Sequence, residues 1–80
     1  MNGLRVYINP SGTDAAGGRA TFYSRRADGP FYCWFYEEQV GHWQVDRVHL
    51  PDHDLRVLRA TSWRSVPPEL RAKMSEHYLE

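Results

Sequence analysis

The residue types best suited to chemistry are concentrated in HLPDHD, which sets His49, Asp52, His53 and Asp54 within a few positions of one another. Imidazole nitrogens and carboxylate oxygens are zinc-type ligands, but an ion must be enclosed, and the remaining ligands usually come from elsewhere in the fold. No second ligand cluster stands at a matching spacing. Pro51 and the two Asp residues suit a solvated polar turn, so no metal is expected. Glu37-Glu38 has the composition of an acid/base pair, yet neighbouring residues of a strand point to opposite faces and cannot act on one substrate. Cys33 is the only thiol. With no base at nucleophilic spacing it reads as a small buried hydrophobe. His42 suits a strand surface and His77 a packed helix face, so no catalytic residue is assigned. The expectation is a non-enzymatic protein without a cofactor.

One glycine-rich stretch invites a phosphate. INPSGTDAAGGR, from Ile8 to Arg19, resembles the phosphate loop of the diacylglycerol and sphingosine kinase family, and Gly12 and Gly17 have the spacing of a P-loop. A P-loop follows its second glycine with Lys and then Ser or Thr, and opens a helix whose N-terminus holds the phosphate. Here Gly18 and Arg19 lead into a strand pattern, so residues 9–18 are expected to form a flexible loop.

The totals restrict the partners. The chain of 80 residues is expected to form a single small domain spanning 1–80, and its ten basic and ten acidic residues cancel. A neutral chain lacks the field that draws polyanions or anionic membranes. All the basic residues but Lys73 are Arg, suited to planar hydrogen bonding and stacking. A composition of 41% hydrophobic, 14% aromatic and 25% charged residues is that of a folded domain. A lone cysteine, no apolar leader in MNGLRVYINPSG and no membrane-length apolar run give a soluble, cytoplasmic expectation.

Period and punctuation place the elements that must carry any site. LRVYI alternates as a half-buried strand and Asn9-Pro10 ends it. RATFYS is a second strand; Asp28-Gly29 turns it into FYCWFYE, and EEQVG turns that into a fourth strand from His42 to about His49. LRVL, residues 55–58, suits either a fifth strand or irregular edge packing. Pro67-Pro68 opens a helix running to about residue 78, with Glu69 at its positive end and Leu70, Met74, His77 and Tyr78 on one stripe. The fold class is α+β: a small antiparallel β-meander of three to five strands, packed on one face by a C-terminal α-helix.

The strand at 31–37 is apolar on both faces. Phe31, Cys33 and Phe35 alternate with Tyr32, Trp34 and Tyr36, whose rings carry polar tips. The first set is expected under the helix beside Phe22, Trp43 and Val45. The second is expected outward with Tyr23 and Arg25, so that Tyr23, Arg25, Tyr32, Trp34 and Tyr36 form a contact face of the types enriched at binding hot spots. The function expected is self-association as a homodimer, or binding of a protein partner as an adaptor or regulator. Single-stranded nucleic acid on the same face is the alternative, since aromatics and Arg build stacking platforms. DGPFYCWFY resembles in outline the aromatic strand of RNA-recognition motifs, but lacks its basic and second glycine positions, and the neutral charge disfavours nucleic acid.

Overall fold

The computed structural model describes residues 3–13 and 20–79. Its elements are β1 (Leu4–Thr13), β2 (Ala20–Arg26), β3 (Phe31–Glu37), β4 (His42–Val48), a single helical turn α1 (Asp52–Leu55), a short β5 (Arg59–Ala60), a 3-10 turn (Trp63–Ser65) and α2 (Pro68–His77). The strands form one antiparallel sheet in the order β4-β3-β2-β1-β5. With α2 laid on it, the chain has the α+β architecture that its hydrophobic periods indicate. No helix of the described residues is long and apolar enough to cross a membrane.

Two turns show how local chemistry sets the meander. Gly41 takes φ +81 and its N–H reaches the Glu37 carbonyl at 2.8 Å, the left-handed closure that glycine accepts without strain. In the turn between β2 and β3 the left-handed residue is Asp28, with φ 64, and not Gly29. Asp tolerates that region because its short side chain can bond the local backbone. Gly29 is needed for room, since a Cβ there would stand 3.3 Å from the Arg26 carbonyl oxygen.

β1 is longer than its alternating core. Instead of stopping at Asn9-Pro10 it continues to Thr13, which pairs with Ala20 after a register irregularity beyond Ile8. Proline cannot donate to a ladder, and an irregular stretch that β5 leaves uncovered is where a strand accepts it. Residues 9–13 therefore belong to a strand and not to the expected loop; 14–18 lie outside the described residues. LRVL is neither a strand nor edge packing throughout: Leu55 closes α1, and β5 begins only at Arg59, where it pairs with Ile8.

The core lies between the sheet and α2. Val6, Phe22, Trp34, Trp43, Val66, Leu70, Met74 and Tyr78 form the buried cluster, with Ile8, Tyr32, Tyr36 and Val45 packed against it. Pro68 at the first helical position and Glu69 in the first turn start α2, and Leu70 and Met74 then fall one turn apart on its buried side.

The opposite sheet face is crossed by the chain itself. β4 and β5 occupy the two edges, so residues 49–58 must span four inter-strand gaps, roughly 19 Å at about 4.8 Å each. Ten residues reach at most about 36 Å, enough for a direct crossing with one helical turn but not for a detour. That crossing lies away from α2: Asp54 bears electrostatically on Tyr23, and Leu50 lines a cleft with Phe31 and Arg25.

Candidate functional site

The ladder register separates the five residues expected to share one contact face. Phe22 pairs with Trp34, Trp34 with Val45 and Tyr36 with Trp43, so Trp34 and Tyr36 face α2; Tyr32 pairs with Ser24 on that same side. Trp34 is 2% exposed and cannot anchor a partner. Tyr23 pairs with Cys33, and Arg25 follows on the side away from α2. The expected assignment of β3 is therefore inverted: Phe31, Cys33 and Phe35 face outward, and Tyr32, Trp34 and Tyr36 face the helix.

At the centre of β3 the inversion has a direct cause: the polar tip of Trp34 is satisfied inside the protein. Trp34 Nε1 donates to Ser24 Oγ at 2.8 Å, and Ser24 Oγ lies 2.7 Å from Tyr78 Oη. Ser24 is fully buried. Arg26 donates to the Tyr78 carbonyl and lays its guanidinium over the Tyr78 ring at 5.3 Å. Burial pushes the Tyr78 phenol up, the Ser24 hydrogen bond opposes this, Tyr32 adds to it, and Arg26 opposes it. His77 sits among Tyr32, Tyr78 and Trp34, with ring centroids 4.5, 4.8 and 5.3 Å away, each edge to face. A tip that finds an internal partner costs little to bury, while the ring contributes more apolar area than Cys would.

The outward face is also aromatic, and it keeps Tyr23 and Arg25. One row runs Tyr7, Tyr23, Cys33, Asp46 from β1 to β4; the next begins Arg5, Arg25 and ends Phe31, Val48. The Arg25 guanidinium lies 4.8 Å over the Phe31 ring, and Tyr7 tilts against Phe31 at 5.9 Å. Tyr7, Tyr23, Arg25, Phe31 and Phe35 are all half-buried. Arg5, Tyr7 and Phe31 are among the members of this face absent from the expected site. The signal for Arg5 and Tyr7 is legible in LRVYI, where Leu4, Val6 and Ile8 take one phase and leave those two to the other.

The thiol on this face is not prepared for attack. Burial pushes Cys33 up, a hydrogen bond from Tyr23 works against that, and Asp46 raises it further, which leaves little thiolate at neutral pH. Tyr23 is itself raised, by burial first and then by Cys33 and Asp54. Among the described residues no three His, Cys, Asp or Glu side chains gather to hold a metal ion. Within HLPDHD, His53 Nε2 lies 3.2 Å from Asp54 Oδ1 with the imidazole largely in solvent.

Two clefts open on this face around Arg25. The smaller, about 150 Å³, is lined by Arg5, Tyr7, Arg25, Ala27 and Asp28. The larger, about 570 Å³, includes Arg25, Pro30, Phe31, Val48 and Leu50. Compared with protein-family models, curated proteins and solved structures, the chain matches none.

Proposed function

We propose that this protein works by binding and not by catalysis, as a small adaptor or regulator that engages a protein partner, or a second copy of itself, through the end of the sheet face turned away from α2 where Arg5, Tyr7, Arg25 and Phe31 line open clefts beside the crossing of residues 49–58. The observation that carries this reading is the group formed by Tyr7, Tyr23, Arg25 and Phe31. These are large, half-buried side chains of the types that dominate binding energies, held in fixed geometry by the Arg25–Phe31 stack and the Tyr7–Phe31 contact. The raised thiol of Cys33 supports the non-catalytic half of the reading. Tyr32, Trp34 and Tyr36 take no part, because they pack toward α2.

The β4 edge of the sheet favours a face-on contact. On β4, Asp46 and Arg47 are charged and exposed, a device that discourages pairing of one sheet edge with another. Arg25→Glu tests the reading, since it reverses the charge at the centre of the face while leaving the α2 core intact. Solution mass at two concentrations identifies self-association, and capture from lysate identifies another partner. The expected result is that the variant, folded by circular dichroism, loses whichever of these the parent shows. A parent that stays monomeric, and that captures the same proteins at the same yield as the variant, would overturn the proposal.

A further inference from the structure

Arg5 and Arg25 are direct cross-strand partners in the β1–β2 ladder, and both belong to the face away from α2. Side chains so paired have Cβ atoms about 4.5–5.5 Å apart, where like charges oppose folding. Among the described residues neither guanidinium forms an ion pair with a carboxylate. Arg25 is instead oriented by neutral groups: its plane lies over Phe31 at 4.8 Å, and its Nε is directed to the Arg26 carbonyl at 3.4 Å. Among the described residues that leaves the outer edge of the fork for another acceptor. Local departures from charge complementarity that bring the fold no gain concentrate at functional sites.

Resting on the binding reading above, we infer that the partner presents an acidic peptide segment, with one carboxylate seated between Arg5 and Arg25. The planar carboxylate matches the guanidinium fork in a bidentate geometry. An apolar residue beside it on the peptide packs against Pro30, Phe31, Val48 and Leu50 in part of the adjoining open cleft of about 570 Å³, which Arg25, Arg47 and His49 also line. Arg25 borders both clefts, so the two subsites share one wall.

The same surface argues against two other occupants. Asp28 lines the smaller cleft, Asp46 ends the neighbouring row, and Asp54 bears on Tyr23. Those carboxylates repel a continuous phosphate backbone but leave room for a single acidic side chain. A two-fold contact between copies centred on Arg5 and Arg25 would set their guanidinium groups against one another.

The test titrates the protein with a short peptide carrying one Glu beside a Leu, its Gln-for-Glu counterpart, inorganic phosphate and a short single-stranded oligonucleotide, and follows the arginine Nε–Hε resonances by NMR. The Glu peptide is expected to shift the Arg5 and Arg25 signals saturably, while its Gln counterpart does not. Arg5→Gln and Arg25→Gln should each weaken binding about tenfold or more, and added salt should do the same. Equal binding of the two peptides, or none by the Glu peptide, sinks the inference. Phosphate or the oligonucleotide saturating the site as tightly as the peptide also overturns it, in favour of a bare oxyanion or a nucleic acid. A mass that rises with concentration and falls in Arg25→Gln, without a response to peptide, assigns the face to a second copy instead. If Arg5→Gln keeps full peptide affinity while Arg25→Glu loses partner capture, the carboxylate site is wrong and the binding face stands.

Discussion

Trp34 and Ser24 meet across the β2–β3 ladder, the indole N–H donating to the hydroxyl at 2.8 Å, and Tyr78 reaches the same oxygen at 2.7 Å from the end of α2. Three elements thus converge on one small side chain that is fully buried. The arrangement ties the C-terminus of the helix to the centre of the sheet. It also lets two large rings lie in the core without stranding their polar atoms. Ser24→Ala should therefore cost more than its volume suggests, because it leaves both the Trp34 N–H and the Tyr78 O–H without their partner. Such a loss is worth about 1–3 kcal/mol, a large share of the total stability of a domain this small. Denaturant melts of the parent and of Ser24→Ala check it, and equal midpoints would remove the network from any account of stability.

The two faces of β3 predict an order of sensitivity. Trp34→Ala empties a fully packed site and should cost about 3–5 kcal/mol, enough to endanger the fold. Phe35→Ala acts on a half-buried ring on the opposite face and should cost about 1 kcal/mol. Thermal melts of the two variants decide the matter. The reverse order would restore Phe35 to the core and Trp34 to the surface.

The parity of β3 is the point at which sequence and structure part company, and the cause is specific. Strand periods, the left-handed Gly41 and the Pro68 start of α2 are local signals, and each is visible in a few residues. Phe22, Trp43 and Val45 are likewise legible as core. What decides the face of Trp34 is its acceptor, Ser24, and the phenol of Tyr78, distant in sequence and joined only by the tertiary fold. A polar tip with no nearby partner reads as an outward one. The ladder contains the correction, because Trp34 and Tyr36 pair with Val45 and Trp43, but register across the turn that ends at Gly41 is not a local property. The crossing by residues 49–58 is hidden for a related reason: a segment of mixed polarity with a single helical turn has no period that announces which face it covers. Half of the proposed binding face, Tyr23 and Arg25, is readable from β2 alone. Arg5 and Tyr7 are readable from the polar phase of β1, once that face is known to be the one without the helix.

Stability should fall in alkali. Burial raises Cys33 from its ordinary 9.0, and Tyr23 and Tyr78 from 10.0, so the fold holds these protons more tightly than the unfolded chain does. A raised group gives its full contribution below the unfolded value and loses it as pH climbs through the folded one. The melting temperature should stay level up to the ordinary thiol value and decline above it, more steeply once the phenols begin to ionise. In Cys33→Ala the onset should move upward toward the tyrosine range. Melts recorded across this interval provide the check; an onset well below the thiol range, or the same onset in both proteins, would contradict it.

Arg5→Glu separates a charge pair that burdens the fold from one that supports it. In the parent, Arg5 faces Arg25 across the ladder, so screening by salt should raise the melting temperature. The substitution places opposite charges at the same pair, a change worth about 0.2–1 kcal/mol. In a domain of this size that corresponds to a rise of roughly 1–6 °C at low ionic strength. Salt should then act in the other direction, weakening the new pair and lowering the melting temperature of the variant. This reversal of sign is independent of any partner, and a general gain or loss in packing would not produce it. If the parent and Arg5→Glu respond to salt alike, Arg5 and Arg25 do not feel each other, and the two guanidinium groups are ordinary solvated charges.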